Sequence, residues 1–84
     1  MANLYTGKHK FSGYKTLEEL TGLTLESNKT YTIQVYGVCY IREGEVGDGF
    51  ISTDTKPFSY IYDGVNDLYI GNKYNRSLTI NVAG

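Results

Sequence analysis

Cys39 and His9 are the only cysteine and the only histidine in the chain. Together they would be the minimum set for thiol chemistry, with the imidazole drawing the proton from the nucleophile. A reactive thiolate needs an electropositive, partly exposed setting and a base held in place by a third group. Cys39 instead stands mid-run in Val38-Cys39-Tyr40-Ile41, where a cysteine packs as a small hydrophobe. His9 lies between Lys8 and Lys10 in a polar stretch. Carboxylates are the next candidates. Glu43, Glu45 and Asp48 share one segment, with Asp54 close behind, and such clusters serve acid–base chemistry or hold a hard cation. Their spacing lacks the alternating acids and closing glutamate of a calcium loop, so the expectation is a solvated acidic hairpin loop. Gly47-Asp48-Gly49 precedes a short strand rather than a helix N-terminus, which removes the donors that hold phosphate. Zinc needs four Cys, His or carboxylate ligands in a compact pattern, and none is visible. The expectation is a protein that is not an enzyme, with no catalytic residue, no metal and no cofactor.

The tyrosines are the one enrichment with functional content: nine of 84 residues, against three Phe and no Trp. Tyrosine suits a surface that is dry at one end and wet at the other, and it brings large contact area at low entropic cost. Tyr36, Tyr69, Tyr74, Tyr5 and Tyr14 are the candidate interface or stacking residues. Tyr36 lies opposite the core side of its strand, and Tyr69 opposite Leu68 and Ile70. Tyr74 falls in a loop, and Tyr5 and Tyr14 fall in the N-terminal stretch. Alternation does not place Tyr40 or Tyr62.

A chain of 84 residues allows one domain. A domain of this size buries only roughly 60% of its unfolded surface, so its margin is thin unless a disulfide, a metal or self-association adds to it. Cys39 alone forms no internal bridge, and self-association is the route left open. Net charge is −1, with eight basic and nine acidic residues. The basic residues are scattered, so no nucleic-acid footprint is expected. No apolar run is long enough to cross a membrane. Met1-Ala2-Asn3-Leu4-Tyr5 lacks the apolar stretch of a signal peptide, which points to synthesis in a cytoplasm.

The elements that must position these residues are strands. Residues 1–15 are polar, with Leu4, Tyr5, Phe11 and Tyr14 irregularly spaced, and read as an N-terminal arm. Residues 16–84 read as a single β-sandwich domain. Thr16-Leu17-Glu18-Glu19 fits a capping box that opens a short helix ending at Gly22. Leu23–Leu25 and Thr30–Tyr36 read as a hairpin, because Tyr31, Ile33 and Val35 alternate with polar residues. Gly37 interrupts, Val38–Arg42 resumes, and Phe50–Thr53, Phe58–Tyr62, Leu68–Ile70 and Leu78–Val82 follow between turns. The fold class is therefore all-β: a small antiparallel β-sandwich or jelly-roll-like barrel of about seven short strands, with the N-terminal arm. The expected core is Leu23, Leu25, Tyr31, Ile33, Val35, Phe50, Phe58, Tyr60, Leu68, Ile70, Leu78, Ile80 and Val82, with residues from 38–41. Leu78–Val82 carries no charge and, at a sheet edge, would be poorly protected. An arm of residues 1–14 is long enough to reach a neighbouring copy and cover it.

The run Gly22-Leu23-Thr24-Leu25-Glu26-Ser27-Asn28-Lys29-Thr30-Tyr31-Thr32-Ile33-Gln34-Val35 resembles a recurring hairpin of small β-sandwich modules. Gly49-Phe50-Ile51, Pro57-Phe58-Ser59-Tyr60, Leu68-Tyr69-Ile70 and Thr79-Ile80-Asn81-Val82 look like the rest of such a module. The whole, over residues 16–84, is similar to small bacteriophage virion proteins of the head-decoration, head-fibre and tail-associated kinds. That resemblance implies a structural protein of the virion, made in the host cytoplasm. Its partners would be itself, as a homo-oligomer with a trimer favoured over a dimer, and other virion proteins, with no nucleic acid and no membrane. Carbohydrate-binding modules share the first hairpin, so a glycan-binding role in host recognition is the alternative, with Tyr36, Tyr69 and Tyr74 as stacking faces. A small phage inhibitor of a host protein is a third reading.

Overall fold

The computed structural model describes residues 2–37, 39–43, 50–52, 56–72 and 74–84, with the backbone alone for residues 43 and 50–52. Among the described residues, eight strands and one short helix follow one another as β1 (Asn3–Lys10), β2 (Gly13–Thr16), α1 (Leu17–Thr21), β3 (Thr30–Tyr36), β4 (Cys39–Glu43), β5 (Phe50–Ser52), β6 (Phe58–Ile61), β7 (Leu68–Asn72) and β8 (Ser77–Ala83). They form two four-stranded sheets in the orders β1-β8-β3-β6 and β2-β7-β4-β5. Every pairing is antiparallel. Only β4 and β5 are sequential neighbours in one sheet, and every other connection passes between the sheets. This order, 1-8-3-6 beside 2-7-4-5, is the jelly-roll topology of two interlocked Greek keys.

Period-2 alternation builds the core. Tyr31, Ile33 and Val35 of β3 and Leu78, Ile80 and Val82 of β8 face inward from the first sheet, and Cys39, Ile41, Leu68 and Ile70 answer from the second. The expected core is largely present. Leu23 and Phe58 are only partly buried, and Phe50 lies outside the residues whose side chains are described. Phe11, absent from that expectation, is buried at the two-residue corner between β1 and β2.

Three expectations are corrected. First, most of the expected arm, residues 1–15, is built into the sheets: β1 and β2 are edge strands of the two sheets, which brings the strands among the described residues to eight. The inward positions of β1 are Tyr5, Gly7 and His9, paired with Val82, Ile80 and Leu78. A glycine and a histidine at core-facing positions leave no hydrophobic alternation to read. Tyr5 compensates by lying across Gly7, where its hydroxyl meets His9 Nε2 at 2.5 Å. Second, Leu78–Val82 is not at an edge, because β8 lies between β1 and β3. The cover comes from β1 of the same chain.

Third, Leu23–Leu25 is not a strand. Gly22 ends α1 at φ 73°, a left-handed conformation that glycine adopts freely, and its N–H bonds the Glu18 carbonyl at 2.8 Å. The chain then crosses from the second sheet to the first. Its N–H groups go to side chains instead of a ladder: Leu25 donates to the Glu18 carboxylate and Glu26 to the Tyr31 hydroxyl.

The capping box of α1 is present, with the Glu19 N–H donating to Thr16 Oγ1 at 3.1 Å and the Thr16 N–H donating to the Glu19 carboxylate. A helix of five residues is too short to persist alone. It is held by burial of Leu17 and Leu20 against β1, β2 and β7. Thr16→Ala is expected to destabilise the domain by about 1 kcal/mol, with Thr16→Ser restoring most of it. Urea denaturation of the two variants checks this, and an unchanged midpoint for the alanine variant overturns it.

Candidate functional site

The second sheet turns Tyr40, Arg42, Tyr69 and Gly71 outward, because Ile41 and Ile70 between them are fully buried on the inner face. Tyr14 of β2 pairs with Gly71, and Gly71 pairs on its other side with Tyr40. One row across the sheet therefore reads Tyr14–Gly71–Tyr40, and the next sets Tyr69 beside Arg42. With no side chain at Gly71, the Tyr14 ring lies across β7: a Cβ at Gly71 would fall 2.5–2.9 Å from three of its ring atoms. Reaching over, Tyr14 meets Arg42, whose guanidinium carbon stands 4.0 Å from the Tyr14 ring centroid and 5.5 Å from that of Tyr69. The cation is held between two π faces. Its Nε–H is buried and donates to no acceptor among the described residues.

An open groove of about 450 Å³ lies on this face, lined by Gly13, Tyr14, Tyr40, Gly71 and Asn72. Asn72 fixes one end of it. Its side chain, fully buried, donates to the Arg76 carbonyl at 2.5 Å and accepts the Arg76 N–H at 3.1 Å. These two bonds close the β7–β8 turn, in which Asn75 adopts a φ of 50°. Beyond the turn, the Arg76 guanidinium lies 5.7 Å from the exposed Tyr74 ring.

No family model, curated protein or solved structure matches this chain. Its functional reading therefore begins from the geometry of its own surface.

The five candidate tyrosines divide three ways. Tyr14 and Tyr69 join the outward cluster. Tyr36 is exposed on the outer face of the other sheet, at the end of β3, and Tyr74 is exposed in the β7–β8 loop. Tyr5 is half-buried on the inward side of β1, packed against the core. Four residues of the cluster were not anticipated: Tyr40, Arg42, Gly71 and Asn72. Fixing Ile41 as inward would have turned Tyr40 and Arg42 outward together. Gly71 and Asn72 read as loop, whereas β7 runs through both.

Among the residues weighed for chemistry, Cys39 is fully buried on the inner face of β4, and the His9 Nε2 meets the Tyr5 hydroxyl. Glu45, Asp48, Asp54, Gly47 and Gly49 lie outside the described residues, as does the Glu43 side chain. Two shifted ionisations lie in another region, around the β6–β7 turn. Desolvation raises the Tyr62 phenol, with Asp67, Glu18 and Asp63 adding to it. Hydrogen bonds from the Asn66 and Val65 N–H groups and from the Asn66 side chain lower the Asp63 carboxyl below its ordinary 3.8. A lowered folded-state pKa contributes stability above the unfolded value and loses it as pH falls through the folded one. Asp63→Asn is therefore expected to lower the melting temperature at neutral pH and to converge with wild type in acid. A gap that widens as pH falls contradicts this.

Gly71→Val is expected to displace the Tyr14 ring without unfolding the domain, since that ring is solvent-exposed and free to swing outward. The loss is one surface cation–π pair, about 0.5–1 kcal/mol. NMR cross-peaks between the Tyr14 ring and Arg42 should vanish. Their persistence in the variant would show that the glycine is not what admits the ring.

Proposed function

We propose that this protein is a non-enzymatic interaction protein of a bacteriophage particle that docks through the outer face of its β2-β7-β4-β5 sheet. The observation that carries the reading is the Tyr14–Arg42–Tyr69 stack beside Tyr40 on a solvent-facing sheet. Tyrosine and arginine dominate the energetics of protein surfaces that bind. Four such side chains on one face cost conformational order and are not needed to fill the core. The fold agrees by analogy, since jelly rolls recur in viral capsid proteins and in lectins. Self-association adds to the thin margin of an 84-residue domain.

Light scattering and capture by phage particles test this together. The expected result is a mass that is a multiple of 9.4 kDa, and retention on particles that Tyr14→Ala and Tyr69→Ala weaken. A strict monomer with no affinity for any particle component would sink it. Glycan recognition is the second reading, favoured by the groove. A cleft walled by the Tyr14 and Tyr40 rings suits a sugar ring that stacks on one face and hydrogen-bonds at its rim.

A further inference from the structure

We propose that copies of this chain join head to tail, the basic end of one seated on the acidic end of the next. This contact rests on the self-association in the reading above and names the surfaces that meet. Strand register defines the two ends. Lys10 pairs with Ser77 and Gly13 with Asn72, so one end gathers the β1–β2 corner and the β7–β8 turn. Thr30 pairs with Ile61 and Thr16 with Tyr69, so the other gathers α1, the crossing into β3 and the β6–β7 turn. β8 runs most of the way between them, about 20 Å for seven residues.

Charge divides along this axis. Lys8, Lys10, Lys15 and Arg76, scattered in the sequence, stand exposed together at the first end. Lys15 Nζ lies 6.0 Å from the ring centroid of Phe11, at the corner itself. Glu18, Glu19, Glu26, Asp63 and Asp67 stand at the second end, with Lys29 among them. Desolvation raises the Tyr62 phenol, and Asp67, Glu18 and Asp63 add to it, which gathers three of these carboxylates around one ring. Glu45, Asp48 and Asp54 lie outside the described residues. The first two follow Glu43, which pairs with Leu68 toward the acidic end, and Asp54 alone does not offset four cations. The ends are about two Debye lengths apart at about 0.1 M salt, so each presents its own sign to a neighbour.

Apolar groups stand within each charged rim. Tyr74 is 59% and Tyr36 38% exposed at the basic end, and Val65 is 80% and Ile61 59% exposed at the acidic one. Tyr36 shares a row with Lys8 across Thr79, and the Arg76 guanidinium lies beside the Tyr74 ring. Apolar contact inside a polar rim is the anatomy of a protein interface, and complementary charge fixes its register. Nucleic acid would satisfy the basic end alone and leave Val65 and Ile61 bare among carboxylates. A second copy answers both ends with one contact. Because two different surfaces meet, the contact is heterologous and repeats from copy to copy.

The experiment follows the mass of the full chain by sedimentation in about 10 mM and about 1 M salt, where the Debye length is roughly 30 Å and 3 Å. Wild type is expected to grow through multiples of 9.4 kDa in low salt. In high salt it should associate at least about tenfold more weakly. Lys10→Glu with Arg76→Glu, and Glu26→Lys with Asp67→Lys, should each be monomeric. The Asn72 side chain bonds the Arg76 backbone, so that turn survives the change. Each variant keeps one intact end, so an equimolar mixture should form a one-to-one pair and grow no further. Wild-type association that salt leaves unchanged overturns the head-to-tail contact, whether or not the variants fold. Association that survives both charge reversals does the same and moves self-association to another surface. A monomeric wild type in low salt ends the contact and the self-association together, while retention on particles through Tyr14 is judged by its own test. A monomer that binds single-stranded DNA through Lys10 and Arg76 gives the basic end to nucleic acid instead.

Discussion

Deleting residues 2–10 is expected to abolish folding. β1 pairs with β8 at seven positions, from Asn3 opposite Ala83 to Lys10 opposite Ser77. Each ladder hydrogen bond is worth about 0.5–1.5 kcal/mol net. The whole domain of 84 residues is held by about 4–13 kcal/mol, at roughly 0.05–0.15 kcal/mol per residue. Loss of the ladder alone consumes much of that margin. Removing Tyr5 and the backbone over Gly7 also opens the β1 side of Leu78, Ile80 and Val82, all fully buried in the intact chain. β8 would then become an uncharged open edge, the kind that pairs with other chains. The expected result is a collapsed amide spectrum and aggregation. A truncated chain that keeps its melting temperature would mean β1 is dispensable.

Ile80→Ala carries the largest expected effect of any single core substitution. Ile80 is fully buried on β8, flanked by Gly7 of β1 and Val35 of β3. Truncating a buried isoleucine to alanine costs about 2–5 kcal/mol, with the upper part reached where the surroundings cannot collapse into the gap. Gly7 offers no side chain of its own to move in, and the Tyr5 ring that lies across it is tied to His9, which places Ile80 toward that upper part. At about 4–8 °C per kcal/mol for a domain of this size, the melting temperature should fall by at least roughly 10 °C. Ile61→Ala is the control. Ile61 is 59% exposed on edge strand β6, and its truncation should change stability by less than about 0.5 kcal/mol. Similar losses for the two variants would contradict the assignment of the inner face.

Alternation determined much of the fold. In β3 and β8 each inward position is a large apolar residue and the residues between them are polar, so strand, face and burial follow from the residues alone. The capping box of α1 was equally legible, because Thr16, Glu19 and Gly22 act within two turns of backbone. The partner of each strand was not. Pairing joins Asn3–Lys10 to Ser77–Ala83 across nearly the whole chain, and no local pattern encodes it. β1 was hidden for a second reason: at two of its core-facing positions, Gly7 and His9, burial is supplied by the Tyr5 ring rather than by the residue itself. The candidate site shows the same division. An excess of tyrosine was visible, but which tyrosines meet was decided by sheet register. Gly71 falls opposite both Tyr14 and Tyr40, and its missing side chain lets one ring cross a strand to reach Arg42. That juxtaposition draws on β2, β4 and β7, strands brought together only when the jelly roll closes.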